Sequence, residues 1–425
     1  MRFLLAATAA ATTLAITGAG PASAAPAAPI HHVFVIVLEN KSYAETFGPG
    51  SKAPYLATQL PALGKLLPNY YGIGHQSLDN YVAMISGQAP NAVTQADCQL
   101  YADVVPGAPG PSGQAVGQGC VYPTSVLTIA DQLSTASRSW AGFMQDMGND
   151  PAREAKTCAH PALNSQDKTQ SATATDSYAT RHDPFVYFHS VIDGPACSTN
   201  VVPLTALPSA LAAGSTAPAL SFITPSLCDD GHDAPCADGR PGGLVSANAF
   251  LSTWVPRILG SPAYKDNGML VVTFDEAEST GAAADASACC GEGPGPNSPL
   301  PGINGLGGGR VGAIVVSPFT RAGTTDSTAY NHYGLLRTVE DLFGLAPLGN
   351  AATVSGFGAD VFDAASAAVP APPPTSPAAS SPATPSSGTL PTTGNPVPEI
   401  GLLGGAVALG ATIVIRRRRR AGVVR

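Results

Sequence analysis

Two pairs of residues in this sequence place a carboxylate beside a second oxygen-bearing side chain. They are Glu39-Asn40 and Asp275-Glu276, and each pair directly follows a short apolar run. In an open α/β sheet the carboxyl ends of the parallel strands share one edge, where ligands bind. Carboxylate and amide oxygens suit a hard divalent cation such as Mg²⁺, Ca²⁺ or Mn²⁺. The two pairs are therefore predicted to ligate a divalent metal ion at that edge.

Histidines also follow apolar runs. His232 lies in the segment 229–233, which follows one run, and Asn331-His332 follows another run and a loop. The alternative for each acid at these positions is a cap on the following helix, which is a common role for such residues. Several groups of this kind together favour a metal site, because buried carboxylates require a cation or a proton.

Ser77 is the residue best placed to act as a nucleophile. Small residues precede it from Gly72 onward, and an apolar helical turn follows it as far as Gly87. At the N-terminus of such a helix, free backbone N–H groups and the helix dipole favour an anion such as a phosphoryl group. The alternative is that Ser77 only caps the helix, as serines commonly do; the local sequence favours neither reading.

Short apolar runs alternate with helical patterns through most of the chain. This alternation predicts one α/β domain, assigned to residues 25–365, with a mostly parallel sheet and helices on both faces. Segment 279–310 is rich in Gly, Ala and Pro without periodicity, which is typical of a lid or an insertion. The predicted strands are Val33–Leu38, Ala219–Thr224, Met269–Phe274 and Val311–Val316, and the predicted helices are Ser125–Leu133, Ala247–Leu259 with an interruption at Pro256, and Tyr333–Phe343.

Both ends of the chain carry signals for export and attachment. Residues 1–24 are predicted to be a secretory signal peptide, with Ala22-Ser23-Ala24 at its cleavage site. Residues 366–393 are predicted to be an extended stalk rich in Pro, Ser and Thr, and residues 394–425 hold an apolar run and an arginine block. With the Leu390–Gly394 motif, this order resembles the sorting signal of Gram-positive wall proteins, which implies sortase and peptidoglycan as partners. A plain membrane anchor is the alternative; both predict a secreted protein held at the cell surface.

Export favours disulfides for the eight cysteines. Connectivity does not follow from sequence, but adjacent Cys289 and Cys290 are expected to take separate partners. The local pairs that the spacing suggests are Cys98–Cys120, Cys158–Cys197 and Cys228–Cys236.

Removal of both ends would also change the charge. It takes away Arg2, six tail arginines and Glu399, and leaves 14 basic against 28 acidic residues. A net charge of −14 argues against nucleic acid as a partner. It also makes phosphate binding depend on local positive groups, such as a metal ion.

The order of these motifs resembles the bacterial phosphoesterase family of secreted acid phosphatases and phospholipases C, within the alkaline-phosphatase-like superfamily. The resemblance implies an alkaline-phosphatase-like α/β fold and metal-dependent hydrolysis of phosphate esters. The segments that carry it are Val35–Gly48, His75–Gly87, Ser177–Phe188, Ala219–Asp233, Val271–Glu276, Arg310–Gly323 and Asn331–Leu345.

The resemblance implies a role for each matching side chain. Ser77 matches the nucleophile, whose oxygen also meets the metal, and Asn80 matches an amide that binds a phosphoryl oxygen. The two acidic pairs match the metal ligands. The side chains expected to bind substrate are His75, His182 and Asp233.

Two histidines, His232 and His332, are expected to protonate the leaving oxygen as alternatives to each other. His332 also matches a histidine that binds a second metal in two-metal relatives. Too few further histidines and aspartates align with that second site, so a single metal is expected.

Two observations favour the acid phosphatase branch of the family. The His-x-Ser-x-x-Asn-Tyr pattern at residues 75–81 resembles that branch, some exported members of which are regarded as phosphatidylinositol-3-phosphatases. The phospholipase C branch usually continues after the Asp-Glu pair with Gly-Gly and a Tyr-Asp-His run, whereas Ala277-Glu278-Ser279 follows here. The expected function is hydrolysis of a phosphorylated small molecule or lipid headgroup through a phosphoserine. The alternatives are diester cleavage of the phospholipase C type and a catalytically inactive surface adhesin.

Overall fold

The structure is a computed structural model that describes residues 28–363. The strands in this part of the chain are β1 (His32–Leu38), β2 (Lys65–Leu67), β3 (Tyr70–Tyr71), β4 (Leu100–Tyr101), β5 (Val105–Pro109), β6 (Ala115–Gln118), β7 (Trp140–Met144), β8 (Ser165–Gln166), β9 (Val201–Pro203), β10 (Leu220–Thr224), β11 (Gly268–Phe274), β12 (Ala313–Val316), β13 (Thr324–Thr325) and β14 (Tyr330–Asn331). The α-helices are α1 (Tyr43–Thr46), α2 (Leu60–Leu63), α3 (Ser77–Ser86), α4 (Ile129–Thr135), α5 (His189–Ile192), α6 (Pro195–Asn200), α7 (Leu207–Ala212), α8 (Gly243–Gly260), α9 (Pro262–Lys265) and α10 (His332–Phe343).

Eight of these strands form one sheet, in the order β13-β2-β12-β11-β1-β10-β7-β9. Strand β1 pairs in parallel with β10 on one side and with β11 on the other. Strands β7 and β9 continue the parallel part, whereas β12 is antiparallel to both β11 and β2. This order confirms the predicted α/β class and the mostly parallel sheet. The carboxyl ends of β11, β1, β10, β7 and β9 consequently share one edge.

Both faces of the sheet are covered, which explains the unbroken apolar runs. Every residue of β1 and of β11 is buried. On one face, Val35 of β1 lies with Met84 of α3 and Leu336 of α10 around a small apolar gap. On the other face, Phe34 lies against Tyr264 of α9, with 6.4 Å between the ring centroids. Helices therefore lie on both faces, as predicted.

The predicted interruption of the longest helix is wrong. Helix α8 runs unbroken from Gly243 to Gly260 with Pro256 inside it. Proline removes one backbone hydrogen bond from a helix, but Val255 and Ile258 on either side of it are buried in the core. Their packing holds the helix together across the proline.

Four strands of the sheet have no counterpart among the sequence predictions: β2, β7, β9 and β13. Strand β7 consists of Trp-Ala-Gly-Phe-Met, which lacks the β-branched residues on which strand prediction depends. The four predicted strands all form, with ends shifted by one or two residues.

All eight cysteines are paired in the structure. The expectation that Cys289 and Cys290 take separate partners is wrong, because they bond to each other. The other six sulfur atoms are engaged in local pairs, which leaves these two only each other. The local pairs form as the spacing suggested, at Cys98–Cys120, Cys158–Cys197 and Cys228–Cys236.

Segment 279–310 lies against the loop that precedes α3. The N–H of Gly308 donates to the Gly72 carbonyl at 3.0 Å, and the N–H of Gly72 donates to the Gly309 carbonyl at 2.9 Å. The Asp285 carbonyl accepts from the His75 ring at 3.0 Å. The segment therefore covers the turn that leads to Ser77.

Within residues 28–363, the structure has no helix with the length and apolar character that a membrane span requires. The predicted signal peptide (1–24), stalk (366–393) and tail (394–425) lie outside the described residues, as do both ends of the predicted domain 25–365.

Candidate active site

The first feature of the site is a pair of buried carboxylates at neighbouring strand ends. Glu39 and Asp275 follow Leu38 and Phe274, which are paired across β1 and β11, and both acids are completely buried. The backbone N–H of Asn40 donates to Asp275 Oδ1 at 2.9 Å, whereas Asp275 Oδ2 is buried without a hydrogen-bond partner. Burial, and then repulsion between neighbouring carboxylates, raises the pKa of both acids well above its usual range.

Ser77 is joined directly to this pair. It is the first residue of α3, is 3% exposed, and its hydroxyl donates to Glu39 Oε2 at 2.8 Å. Tyr81, one helical turn later, donates its hydroxyl to Glu39 Oε1 at 2.6 Å. The side-chain amide of Asn40 donates to Glu39 Oε2 at 3.0 Å. The structure thus brings together Ser77, both strand-end acids and Asn40.

Asn80 holds the turn that presents Ser77. Its Oδ1 accepts the backbone N–H groups of Ile73 and Gly74 at 2.8 and 3.1 Å. Its Nδ2 donates to the carbonyls of Gly74 and Gln76 at 3.0 and 3.1 Å. Gln76, which directly precedes Ser77, has a φ of +82°, a conformation that few residues other than glycine adopt. Both amide protons of Asn80 are therefore engaged by backbone rather than directed at a ligand.

His75 and Glu276 form a second buried pair behind Ser77. The Nδ1 of His75 contacts Glu276 Oε2, which also accepts the backbone N–H of Gln76 at 3.2 Å. The other ring nitrogen donates to the Asp285 carbonyl. Burial lowers the pKa of His75 and raises that of Glu276. His75 therefore positions Glu276 and has no nitrogen free for a substrate.

His182 lies between two carboxylates, those of Asp230 and of Glu39, the acceptor of the Ser77 hydroxyl. Its Nε2 is 3.4 Å from Glu39 Oε1 and its Nδ1 is 3.2 Å from Asp230 Oδ2, but neither contact is an aligned hydrogen bond. The three side chains are buried, and one ligand atom from each lies within 4.8 Å of the other two. The ring of Tyr81 stacks on His182 at 5.2 Å. This arrangement offers two oxygens and one nitrogen to a cation.

A buried arginine and a partly exposed histidine adjoin this cluster. Arg181 is 3% exposed, and its Nη2 donates to His232 Nε2 at 3.3 Å. His232 Nδ1 donates in turn to Asp233 at 2.8 Å, which fixes the ring tautomer. Arg181 Nε lies 3.7 Å from Asp97, whose carboxylate accepts the N–H of Leu78 in the first turn of α3. Arg181 is thereby connected, through Asp97, to the start of α3.

Both ring nitrogens of His332 are engaged by other groups of the protein. Its Nδ1 is 3.1 Å from the hydroxyl of Tyr70, and its Nε2 donates to the backbone carbonyl of Asp275 at 2.5 Å. Burial lowers the pKa of His332 to about 4. A neutral imidazole with both nitrogens engaged is suited neither to binding a second metal nor to protonating a leaving group, the two roles that the sequence suggests for it.

Sequence reasoning missed three residues of this site: Arg181, Asp230 and Tyr81. All three lie inside segments that carry the family resemblance. Arg181 directly precedes His182, Asp230 stands two residues before His232, and Tyr81 follows Asn80. Asp230 follows a predicted strand and Tyr81 lies in the helix that begins near Ser77, but neither was given a role, and no strand end or helix start marks Arg181.

Comparisons with known proteins give the family and the relatives that this chain resembles. A model of the Phosphoesterase family matches residues 52–346. The phosphate-repressible acid phosphatase of Penicillium chrysogenum is 25% identical over 345 residues, which cover 79% of this chain and 66% of that protein. The chain thus spans just under two thirds of that relative's length. The phosphatidylinositol-3-phosphatase of Mycobacterium tuberculosis is 24% identical over 320 residues, which cover 75% of this chain and 79% of that protein.

Among solved structures, a protein in the alkaline phosphatase superfamily from Vibrio parahaemolyticus is 12% identical to this chain. The match has a TM-score of 0.42 and covers 76% of this chain and 69% of that one. The α/β class itself rests on the strand order of the sheet.

Proposed function

This chain belongs to the Phosphoesterase family, and we propose that it hydrolyses phosphate monoesters with Ser77 as the nucleophile. The observation that carries the proposal is the 2.8 Å hydrogen bond from the Ser77 hydroxyl to Glu39 within a buried set of strand-end carboxylates. A serine hydroxyl is a weak nucleophile until a base or a metal activates it. The names of the acid phosphatase and phosphatidylinositol-3-phosphatase relatives support a monoester as the substrate.

A divalent cation fits this set of side chains. Asp275 Oδ2 is buried without a partner, and buried carboxylates without a compensating charge are strongly unfavourable. When bound, the ion supplies positive charge that lowers the pKa of the serine hydroxyl and offsets charge on the phosphoryl oxygens. Oxygen donors favour Mg²⁺, Ca²⁺ or Mn²⁺. The residues proposed to hold it are Glu39, Asn40, Ser77, Asp275 and Glu276.

The side chains of this site account for the transfer itself. The Ser77 hydroxyl already donates to Glu39, the nearest acceptor for its proton. Its oxygen attacks phosphorus to form a phosphoserine while the bond to the leaving oxygen breaks. His232 is proposed to protonate that leaving oxygen from Nε2, which for this step must carry a proton and exchange its contact with Arg181 for the leaving oxygen, while Asp233 keeps the ring oriented through Nδ1. Water then hydrolyses the phosphoserine.

The charge on the phosphoryl oxygens needs positive groups in an acidic chain. We assign the Arg181 guanidinium to these oxygens as the positive group, because it is connected to the start of α3 through Asp97. Burial lowers the pKa of His182 well below its usual range, so His182, which contacts Glu39, is assigned to these oxygens as a neutral hydrogen-bond donor. Asn80 is assigned instead to holding the turn before Ser77, since both of its amide protons are engaged.

The sequence at the two ends of the chain supports a proposed location at the cell surface. Residues 1–24 are proposed to direct export, and residues 366–425 to hold the domain at the cell surface. The Leu390–Gly394 motif supports attachment to peptidoglycan by sortase, with a membrane anchor as the alternative. A substrate outside the cell would be a phosphorylated small molecule or a lipid headgroup. Release of the protein from cells by a peptidoglycan hydrolase, but not by detergent, would support the sortase route.

Turnover of p-nitrophenyl phosphate and of its bis-ester, with each of the three metals, tests the proposed reaction. We expect faster turnover of the monoester and a loss of at least about 10³-fold in Ser77→Ala. Ser86→Ala is the matched control, because Ser86 ends the same helix and its hydroxyl bonds only the backbone, donating to the Val82 carbonyl and accepting the N–H of Gln88. Full activity in Ser77→Ala would refute the proposal. Faster bis-ester turnover would favour a diesterase, and inactivity with every metal would favour an adhesin.

A further inference from the structure

A short uncharged projection lies beside the turn that carries Ser77. We call residues 299–307, in the loop between β11 and β12, the apolar finger. Three of its side chains are exposed, Leu300 (45%), Ile303 (40%) and Leu306 (43%). Among residues 28–363, eight large apolar side chains are exposed to this degree, and three of them fall within the nine residues of the finger. No charged residue occurs between Glu292 and Arg310. Single exposed apolar residues are ordinary, but such a group is not.

The apolar finger is a tightly closed turn. The N–H of Ile303 donates to the Leu300 carbonyl at 3.0 Å, and the N–H of Gly302 donates to the Gly305 carbonyl at 3.1 Å. A Cβ on Gly302 would come within 2.0 Å of the Gly307 carbonyl oxygen, so glycine is needed where the two arms meet. Ile303 has a φ of +57°, which is unfavourable for a β-branched residue. An exposed isoleucine at such a position points to a use for its side chain, since the turn itself would prefer glycine or asparagine.

Contacts at its base fix the finger next to the site. Gln95 Nε2 donates to the Pro301 carbonyl at 2.8 Å. The same carbonyl lies so close to Gly74, three residues before Ser77, that a Cβ there would be 2.7 Å away. The far arm of the finger packs on the backbone after Asp285, whose carbonyl accepts from the loop before α3. The exposed side chains are therefore held at a constant place relative to Ser77.

We propose that the apolar finger inserts into the surface of a phospholipid bilayer and holds Ser77 at the level of the lipid headgroups. The inference rests on the proposed function, because it names a lipid phosphate ester in a membrane as the substrate class. Transfer of three large apolar side chains from water into the headgroup and acyl boundary is favourable. Because the finger is a closed turn, its insertion does not require a flexible loop to become ordered first. Insertion therefore also orients the site relative to the membrane.

Charge decides which membrane surface the finger fits. It has no lysine or arginine with which to bind anionic lipid. It also lacks acidic residues that lipid phosphates would repel, although the rest of the chain has an excess of them. The surface that it fits is a zwitterionic bilayer such as phosphatidylcholine, and its binding is expected to be insensitive to salt.

Binding of the full-length chain to phosphatidylcholine vesicles tests the proposal without any ester substrate. The finger variant is Leu300→Ser/Ile303→Ser/Leu306→Ser. The control variant is Leu100→Ser/Leu127→Ser/Leu163→Ser, whose side chains are exposed to similar degrees (44%, 48% and 41%). We expect binding about tenfold or more weaker in the finger variant than in the wild type and the control. The C-terminal tail is the same in all three proteins, so it does not contribute to this difference.

A gain of signal provides the second measurement. In Leu306→Trp, the added indole should shift its fluorescence to shorter wavelength with vesicles and be quenched by brominated phosphatidylcholine. The tryptophan introduced in the control variant Leu163→Trp should show neither the shift nor the quenching. This pair keeps the test valid if the triple finger variant fails to fold.

Several outcomes would overturn the inference. They are equal vesicle binding by the finger and control variants, an unquenched Leu306→Trp, and release from vesicles by high salt. A shift from dimer to monomer in the finger variant, with unchanged vesicle binding, would show that the finger contacts a second copy instead.

Turnover of p-nitrophenyl phosphate separates the two proposals: if the wild type lacks it but the finger binds vesicles, only the proposed function fails. If both hold, the ratio of vesicle-ester to soluble-ester turnover should fall about tenfold in the finger variant.

Discussion

His182 and His332 are both buried histidines near strand-end acids, yet their surroundings differ. His182 lies between Glu39 and Asp230 with neither nitrogen in an aligned hydrogen bond. His332 has one nitrogen bonded to the Tyr70 hydroxyl and the other to a backbone carbonyl. Buried polar groups are almost always satisfied, so an unsatisfied imidazole indicates a place for a ligand and a satisfied one indicates a structural role.

The same distinction applies to the carboxylates. Asp275 keeps one oxygen buried without a partner at the end of β11. Glu276, the next residue, is held by His75 and a backbone N–H. Adjacent acids in one motif therefore differ in what they can offer: Asp275 keeps a buried oxygen without a partner for the proposed metal ion, whereas Glu276 uses Oε2 to hold the surrounding loop and can offer the ion only its other carboxylate oxygen.

The largest effect is expected when the unsatisfied carboxylate is removed. Asp275→Asn should lower kcat/KM by at least about 10³-fold and abolish binding of Mn²⁺, because it takes a charged oxygen from the proposed metal set. Asp266→Asn, beyond the other end of the same strand, is the control and should change neither. Isothermal titration with Mn²⁺, beside the kinetics, measures both effects. Wild-type metal affinity in Asp275→Asn would contradict the metal assignment.

A direct test of the comparison replaces each histidine in turn. His182→Asn should lower kcat/KM by about 10²-fold, since it removes a group proposed to meet phosphoryl oxygens. His332→Asn should lower kcat/KM by less than about tenfold and lower the free energy of unfolding by about 1–3 kcal/mol, because it disrupts two buried hydrogen bonds. Urea denaturation and steady-state kinetics of both variants supply the data. If His332→Asn instead shows the larger kinetic loss and His182→Asn the larger loss of stability, the distinction between a ligand-binding and a structural histidine is wrong.

The partly exposed histidine should show its role through the leaving group. His232→Asn is expected to slow hydrolysis of an alkyl phosphate by about 10²-fold, because a poor leaving group needs a proton. Hydrolysis of p-nitrophenyl phosphate should fall by less than about tenfold, since p-nitrophenolate leaves without one. An equal loss with both substrates would remove His232 from the role of acid.

The smallest effect concerns a buried carboxyl outside the site, on the same helix as His332. Burial raises the pKa of Glu340 to about 8, although its carboxylate accepts the N–H of Leu348 at 2.8 Å. The folded state then holds a proton that the unfolded state loses near its lower pKa, so stability should fall as the pH rises from about 5 to about 8, on the order of 3 kcal/mol for this group. Urea denaturation of Glu340→Gln across this range should show a flatter dependence. An unchanged slope would mean that Glu340 ionises normally.

Strand positions and the grouping of the acids could be predicted from the sequence. Unbroken apolar runs locate β1, β10, β11 and β12, and parallel pairing then places Glu39 beside Asp275. The direction in which a side chain points could not be predicted, because it depends on contacts with distant segments. His75 turns toward Asp285 and His332 toward Tyr70, and neither contact has a signature in the local sequence.

The adjacent cysteines show a similar limit. Their pairing follows from the engagement of every other sulfur, which only the whole fold reveals. Arg181 and Asp230 stood within motifs that were recognised, but their importance appears only when the fold brings them to Ser77.

The claim that Ser77 carries the phosphoryl group can be tested by trapping the intermediate. The protein is mixed with p-nitrophenyl phosphate and the metal that supports turnover, quenched in acid within the first turnovers, digested, and analysed by mass spectrometry. We predict a phosphoryl group on Ser77 and none in Ser77→Ala. Full turnover with the label on another residue, or on no residue together with an active Ser77→Ala, would contradict the assignment.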